Sequence, residues 1–249
     1  MKQPVFTGSG VAIITPFTND GVDYAALSDL LEFQLKAGTD AVIVCGTTGE
    51  AATMTAAERA RTIDAVVSQV NGRVPVIAGT GCNCTATAIE QSKAAEAAGV
   101  DGLLVVTPYY NKATQRGLVR HYQAIADAVT TPVILYNVPS RTGVKCAAET
   151  YATLSAHPNI VGVKEASGDF ALIQRTRELC PEDFYIWSGN DDETAPIMLQ
   201  GGVGVISVAA NVAPEAMHHL THACLRGDFV TGSRMQQELR KLCEALYTN

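Results

Sequence analysis

No run of lysine or arginine appears anywhere in the chain, and acidic residues outnumber basic ones by 25 to 18. That removes the electrostatic footprint of a nucleic-acid-binding surface. The net charge of −7 repels anions weakly, so an anionic ligand needs a local positive group. No apolar stretch reaches the roughly 20 residues of a membrane-spanning helix; residues 201–213 are too few and too rich in glycine. The G-x-G-x-x-G turn that often opens a dinucleotide-binding sheet is missing, because the first apolar run ends in Thr15-Pro16-Phe17. Zinc-type cysteine pairs are missing too: Cys82-Asn83-Cys84 has neither the spacing nor the second pair. The N-terminus carries one lysine and no long apolar region, so it does not read as a secretory signal. The seven cysteines are expected as free thiols in a cytoplasmic protein.

What is present is a chain of 249 residues, 47 % hydrophobic and 17 % charged, enough for one large domain. Short β-branched runs recur at residues 11–17, 41–46, 74–80, 102–108, 132–138, 160–166, 184–189 and 202–209. Their near-continuous apolar character suits strands buried on both faces. Alanine-rich amphipathic segments lie between them, among them 24–37, 56–70, 86–98 and 118–128. Thr55-Ala56-Ala57-Glu58 is a capping box, and Gly38, Gly72 and Gly99 stand where helix C-caps belong. Eight strand–helix units predict an α/β fold of the closed (β/α)8, or TIM barrel, type over residues 1–226. Residues 227–249 are expected to be a further helical region. The rival architecture is an open doubly wound sheet.

Lys164 is the residue that asks for chemistry. It sits in Ile160-Val161-Gly162-Val163-Lys164-Glu165, which otherwise reads as a buried strand. Burying an ammonium without a partner costs several kcal/mol or forces the amine neutral. One reading pairs Lys164 with a carboxylate at the sheet rim; the other makes it a nucleophile toward carbonyl carbons. Alternation places Gly162 and Lys164 on one face and Val161 and Val163 on the other, and the glycine is expected to leave room for a ligand. The other strand ends are polar: Gly46-Thr47-Thr48-Gly49, Tyr109-Tyr110-Asn111, Tyr136-Asn137, Arg141 and Ser188-Gly189-Asn190-Asp191. In such barrels chemistry sits at the C-terminal ends of the strands. Each has a plainer alternative: a tight turn, a core tyrosine, a solvated arginine. Asp191 and Asp192 are expected in a solvated loop, and His218, His219 and His222 on the surface of a late helix.

Five segments together resemble the dihydrodipicolinate synthase family of pyruvate-dependent class I aldolases: Gly46–Glu50, Gly79–Gly81, Val106–Asn111, Tyr136–Gly143 and Gly162–Ala166. Gly204–Val208 matches as well, and the likeness runs from about Phe6 to the end of the chain. The resemblance implies that Lys164 forms a Schiff base with pyruvate and that Thr47 and Thr48 bind its carboxylate. It makes Tyr136 a proton shuttle, with Thr47 and Tyr110 as a relay, Tyr110 reaching in from a neighbouring subunit. Arg141 would bind the carboxylate of the second substrate, aspartate semialdehyde. Ile206 would offer a backbone carbonyl near Lys164, and Gly189 would line the pocket. The implied product belongs to the diaminopimelate route to lysine, and the implied assembly is a homotetramer, at least a tight dimer. The implied chemistry uses no metal and no organic cofactor.

The chain departs from the family in two places. Feedback-inhibited relatives hold lysine with an acidic residue and histidines at positions occupied here by Thr87, Ala56 and Arg59; Asn83 and Tyr109 remain. Weak or absent inhibition by lysine is therefore expected. The family also continues past residue 249 by roughly two helices, so the C-terminal helical extension is expected to be incomplete. Two rivals compete on function. A sugar-acid aldolase would share Lys164 and Tyr136 but usually has a different loop after strand five. A non-catalytic paralogue is disfavoured by the intact set of Lys164, Tyr136, Thr47 and Tyr110.

Overall fold

The computed structural model describes residues 1–247. Eight parallel strands close into a barrel: β1 (Gly8–Ala12), β2 (Ala41–Val44), β3 (Val76–Gly79), β4 (Gly102–Val106), β5 (Val133–Asn137), β6 (Ile160–Glu165), β7 (Tyr185–Ser188) and β8 (Gly204–Ser207). β1 pairs with both β8 and β2, which closes the ring. Closure leaves no open sheet edge, and the open doubly wound alternative is excluded.

The helices are α1 (Tyr24–Lys36), α2 (Ala56–Val70), α3 (Thr85–Ala97), α4 (Gln115–Ala126), α5 (Ala148–Ser155), α6 (Phe170–Leu179), α7 (Thr194–Leu199), α8 (Pro214–Leu225) and α9 (Phe229–Ala245). The capping box of α2 forms as its sequence demands: Glu58 N–H donates to Thr55 Oγ1 at 3.2 Å and Thr55 N–H donates to Glu58 Oε2 at 2.8 Å. Gly38, Gly72 and Gly99 follow α1, α2 and α3 with φ of +84°, +71° and +85°, the left-handed conformation of a C-cap glycine.

Two apolar layers result. Between sheet and helices lies the larger one, built from residues such as Val42, Val105, Leu135, Tyr151 and Phe184. Inside the barrel lies a smaller one, with Phe6, Ile43, Ile77, Leu104, Trp187 and Ile206. Phe6 stacks on Trp187 with ring centroids 5.5 Å apart, and the indole N–H donates to the Phe6 carbonyl at 3.2 Å. α9 packs on α7 and α8 through Phe229, Met235 and Leu239.

Two sequence expectations fail. The first strand begins at Gly8 and ends at Ala12, rather than spanning residues 11–17. Gly8-Ser9-Gly10 reads as loop by propensity, but pairing with Gly204, Val205 and Ile206 recruits it. Phe17–Thr18 pairs instead with Gly21–Val22 in a small hairpin outside the barrel. In β6 the register against β5 skips Val161, since Val133 pairs with Ile160 and Ile134 with Gly162. Val161 therefore joins the interior layer, whereas Val163 packs outside.

Candidate active site

The C-terminal ends of the strands surround a cavity of about 580 Å³ lined by Thr47, Thr48, Tyr136, Arg141, Lys164 and Gly189. Six sequence-predicted residues from four strand–loop junctions thus meet in one place. Lys164 is only 5 % exposed. Burial disfavours the ammonium and brings its pKa down to about 8; the Arg141 charge pushes the same way and the Asp191 charge opposes both. β5 and β6 set Tyr136 directly beside Lys164 as register partners. The Lys164 Nζ stands 4.4 Å from the centre of the Tyr136 ring. Burial raises the Tyr136 pKa, while Arg141 and a hydrogen bond from Thr47 work against that rise.

The glycine that clears space beside Lys164 is not Gly162. A Cβ on Gly162 would lie 2.1 Å from the Tyr185 carbonyl oxygen and 2.9 Å from Trp187, so that glycine lets β7 and the indole close in. A Cβ on Gly189 would lie 3.1 Å from Lys164 Cε and 2.7 Å from Ala166 Cβ. Gly189 is what keeps the lysine stem free to move. Arg141 follows β5 in the short helical turn Pro139–Thr142, with its side chain exposed at the cavity mouth.

Asp191 is not in a solvated loop. It is 2 % exposed, and Ser207 Oγ donates to its Oδ1 at 2.5 Å. The N–H groups of Val208 and Ala209 donate to Oδ2 at 3.0 and 2.9 Å. Gln236 of α9 donates to the Asp191 carbonyl at 2.7 Å and accepts from Ala195 N–H at 3.0 Å. Burial raises the Asp191 pKa, and those donors with the Lys164 charge hold it down. This residue supplies the negative charge nearest in effect to Lys164, and the sequence reading missed it. The available signal was its position directly after a strand end.

Glu165, next to Lys164, faces outward. It accepts from Tyr151 OH at 2.8 Å, from Asn137 Nδ2 at 3.0 Å and from Ser167 N–H at 2.9 Å. α9 adds Cys243 and Glu244 to the cavity wall, and Tyr247 follows them. No pattern in the sequence announced that this helix reaches the mouth.

Tyr110 is not brought to Lys164 within the chain. It is 86 % exposed and has φ of +74°, uncommon for a tyrosine. Ile206 packs its side chain into the barrel interior, one residue before Ser207. Asn83 Nδ2 donates to the Tyr109 carbonyl at 3.4 Å. Tyr109 lines a second cavity, of about 500 Å³, which reaches Thr47, Tyr136 and Arg141 from the other side. Ala56, Arg59 and Thr87 line a neighbouring groove between α2 and α3.

A barrel with a buried lysine beside a tyrosine at the strand ends narrows the comparison with known proteins. The dihydrodipicolinate synthetase family profile matches residues 5–249. The chain belongs to that family. A 4-hydroxy-tetrahydrodipicolinate synthase of Thermoanaerobacter sp. (strain X514) is 54 % identical over 246 residues, covering 98 % of this chain and 83 % of the relative. Dihydrodipicolinate synthase from Thermotoga maritima superposes with a TM-score of 0.97 at 42 % identity, covering 99 % of this chain and 85 % of that one. The chloride-inhibited enzyme from Acinetobacter baumannii, solved in complex with pyruvate, gives a TM-score of 0.95 at 42 % identity, over 98 % of this chain and 84 % of its own. Membership of this family agrees with the class I aldolase activity that the sequence motifs imply. Among the described residues no helix is long and apolar enough to cross a membrane.

Proposed function

We propose that the chain is a 4-hydroxy-tetrahydrodipicolinate synthase that condenses pyruvate with L-aspartate 4-semialdehyde, in the diaminopimelate route to lysine. The observation that carries this reading is the buried Lys164 amine, with a pKa near 8, held 4.4 Å above the Tyr136 ring in a polar cavity.

The neutral amine attacks the ketone carbon of pyruvate, and loss of water leaves an imine. Tyr136 hands the proton to the departing hydroxyl, with Thr47 as its hydrogen-bonding partner. Thr47 and Thr48 hold the pyruvate carboxylate with hydroxyl and backbone N–H groups of the loop after β2. The imine acidifies the methyl group, and loss of one of its protons gives an enamine. The enamine carbon forms the new bond to the aldehyde carbon, whose oxygen takes up a proton. Arg141, at the mouth, fits the carboxylate of the incoming aldehyde. The amine of that substrate then attacks the imine carbon and displaces Lys164, which closes the ring and restores the enzyme. The lysine serves as electron sink, so these steps call for no metal or organic cofactor.

Tyr110 completes the relay from a second subunit. Its exposure and left-handed backbone support a side chain held outward to be received by a partner copy. The assembly is accordingly at least a dimer, with a dimer of dimers as the expected homotetramer. The polypeptide acts in the cytoplasm.

Borohydride reduction in the presence of pyruvate tests the reading. The expected outcome is a pyruvyl adduct by intact mass that maps to Lys164. A folded sample that forms no adduct, or one on another lysine, would overturn it.

A further inference from the structure

At the end of the barrel opposite the cavity, Asp40 directly precedes β2 and faces α8. His218 Nδ1 lies 3.2 Å from Asp40 Oδ2, and His222 Nε2 lies 3.0 Å from Oδ1. The two imidazoles stand four residues apart on one helix face, with ring centroids 4.0 Å apart. Among the described residues, this is the group of three whose donor atoms all lie within 4.8 Å of one another. The sequence reading placed these histidines on the surface. His219 is indeed exposed, but His218 and His222 are half-buried against Asp40.

We propose that Asp40, His218 and His222 form a binding site for a first-row transition-metal ion, Zn²⁺ by preference of the donor set. Three features argue for a built site. The first is spacing. With bonds of about 2.0–2.1 Å to nitrogen and oxygen, neighbouring ligands of a tetrahedral zinc ion stand about 3.3 Å apart. The two nitrogen-to-oxygen separations here are close to that edge, so a metal replaces two hydrogen bonds with little movement.

The second is preorganisation of the carboxylate. Ser9 N–H donates to Asp40 Oδ2 at 2.8 Å, and Asp40 N–H donates to the Ser9 carbonyl at 2.9 Å. β1 therefore fixes the carboxylate before any ligand arrives.

The third is the space cut for the cluster. A Cβ on Gly8 (φ +97°) would lie 2.3 Å from Asp40 Oδ2 and 3.2 Å from His222 Nε2. Two imidazoles and one carboxylate favour zinc, copper, nickel or cobalt over magnesium or calcium, which take oxygen ligands. Water fills the fourth position. At the N-terminal face of a barrel, such an ion joins α8 to β1 and β2 and acts on stability rather than on chemistry.

The test is calorimetric titration of the metal-stripped full chain with ZnCl₂. Three variants accompany it: His222→Gln, the double variant His218→Asn/His222→Gln, and His219→Gln as a control outside the cluster. The wild-type chain and His219→Gln are expected to bind one Zn²⁺ per chain and to gain melting temperature with added zinc. His222→Gln should lose more than about 100-fold in affinity, beyond what loss of a mere outer-shell partner costs. The double variant should show no zinc-dependent gain in melting temperature. Unchanged aldolase activity in these variants would show that they fold. Equal affinity in wild type and double variant would overturn the proposal. So would a Co²⁺ derivative with thiolate charge-transfer absorption, which would assign the metal to cysteine sulfur instead.

Discussion

Lys164 and Glu165 are adjacent, oppositely charged and both almost fully buried, yet they do not pair. Strand alternation sends Lys164 into the barrel mouth and Glu165 into the shell behind β5 and β6. The two environments differ in how completely they satisfy the group. Glu165 accepts from Tyr151, Asn137 and Ser167, so its carboxylate is fully hydrogen-bonded in place. Among the described residues no hydrogen bond to a protein acceptor holds the Lys164 amine; it feels Asp191 through charge, and it borders open cavity. A satisfied buried charge anchors structure. An unsatisfied one is held ready for chemistry.

That contrast breaks most sharply at Lys164. Lys164→Met should reduce turnover to background while raising stability. The buried lysine has its pKa lowered from 10.5 to about 8, so between those values the folded state binds fewer protons than the unfolded state. Its penalty is therefore fully present below pH 8 and fades as pH rises toward 10.5. Urea unfolding at pH 7 should show a gain on the order of 1–3 kcal/mol, shrinking at pH 10. A loss of stability at pH 7 would mean that the amine is better satisfied than its surroundings indicate.

Tyr136→Phe comes next. It keeps the ring beneath Lys164 and removes the hydroxyl, so kcat should fall about 10²–10⁴-fold. Adduct formation with pyruvate should slow in parallel. If the adduct forms at the wild-type rate, Tyr136 does not serve imine formation.

Glu165→Gln should do the reverse of Lys164→Met. It sets an amide against the donors of Asn137 and Ser167, and unfolding should report a loss of about 1–3 kcal/mol. The acid limb of kcat/KM, set by Lys164 near pH 8, should stay where it is. Asp191→Asn should move that limb to lower pH, because the charge favouring the ammonium is gone. An unmoved limb would separate Asp191 from the lysine altogether.

The smallest expected effect is on regulation. Thr87 stands where the feedback-inhibited relatives carry an acidic residue, so the amine of a bound lysine loses that carboxylate, and Asp64 and Glu90 are acidic groups that still line the groove between α2 and α3. Losing that charge-assisted hydrogen bond is worth about 1.5–3 kcal/mol, or roughly 10–100-fold in the inhibitory concentration of lysine. Strong inhibition at sub-millimolar lysine would show that another group supplies the contact.

Local signals made much of this legible. The boundaries of α2 follow from its capping box, and the C-cap glycines appear where the alanine-rich periods end. Thr47, Tyr136, Arg141 and Lys164 were legible because each stands at the end of an apolar run in a closed barrel, where polar groups have only the mouth to occupy. Gly8–Gly10 was not legible as strand, since its pairing comes from β8, nearly 200 residues away. Asp191 was read as solvent-exposed because its three donors come from the last residue of β8 and the two that follow it, and Gly162 was credited with space that Trp187 and β7 take.

Sequence alone determined the repeated strand–helix rhythm, the helix ends and the set of chemical groups, because propensity, capping and periodicity are short-range effects. The tertiary structure decided which of those groups meet, which glycine leaves room for the lysine, and that His218 and His222 face Asp40. It also decided that Lys164 is desolvated while Glu165 is satisfied. Burial and charge depend on distances across the barrel, and those exist only once the ring has closed.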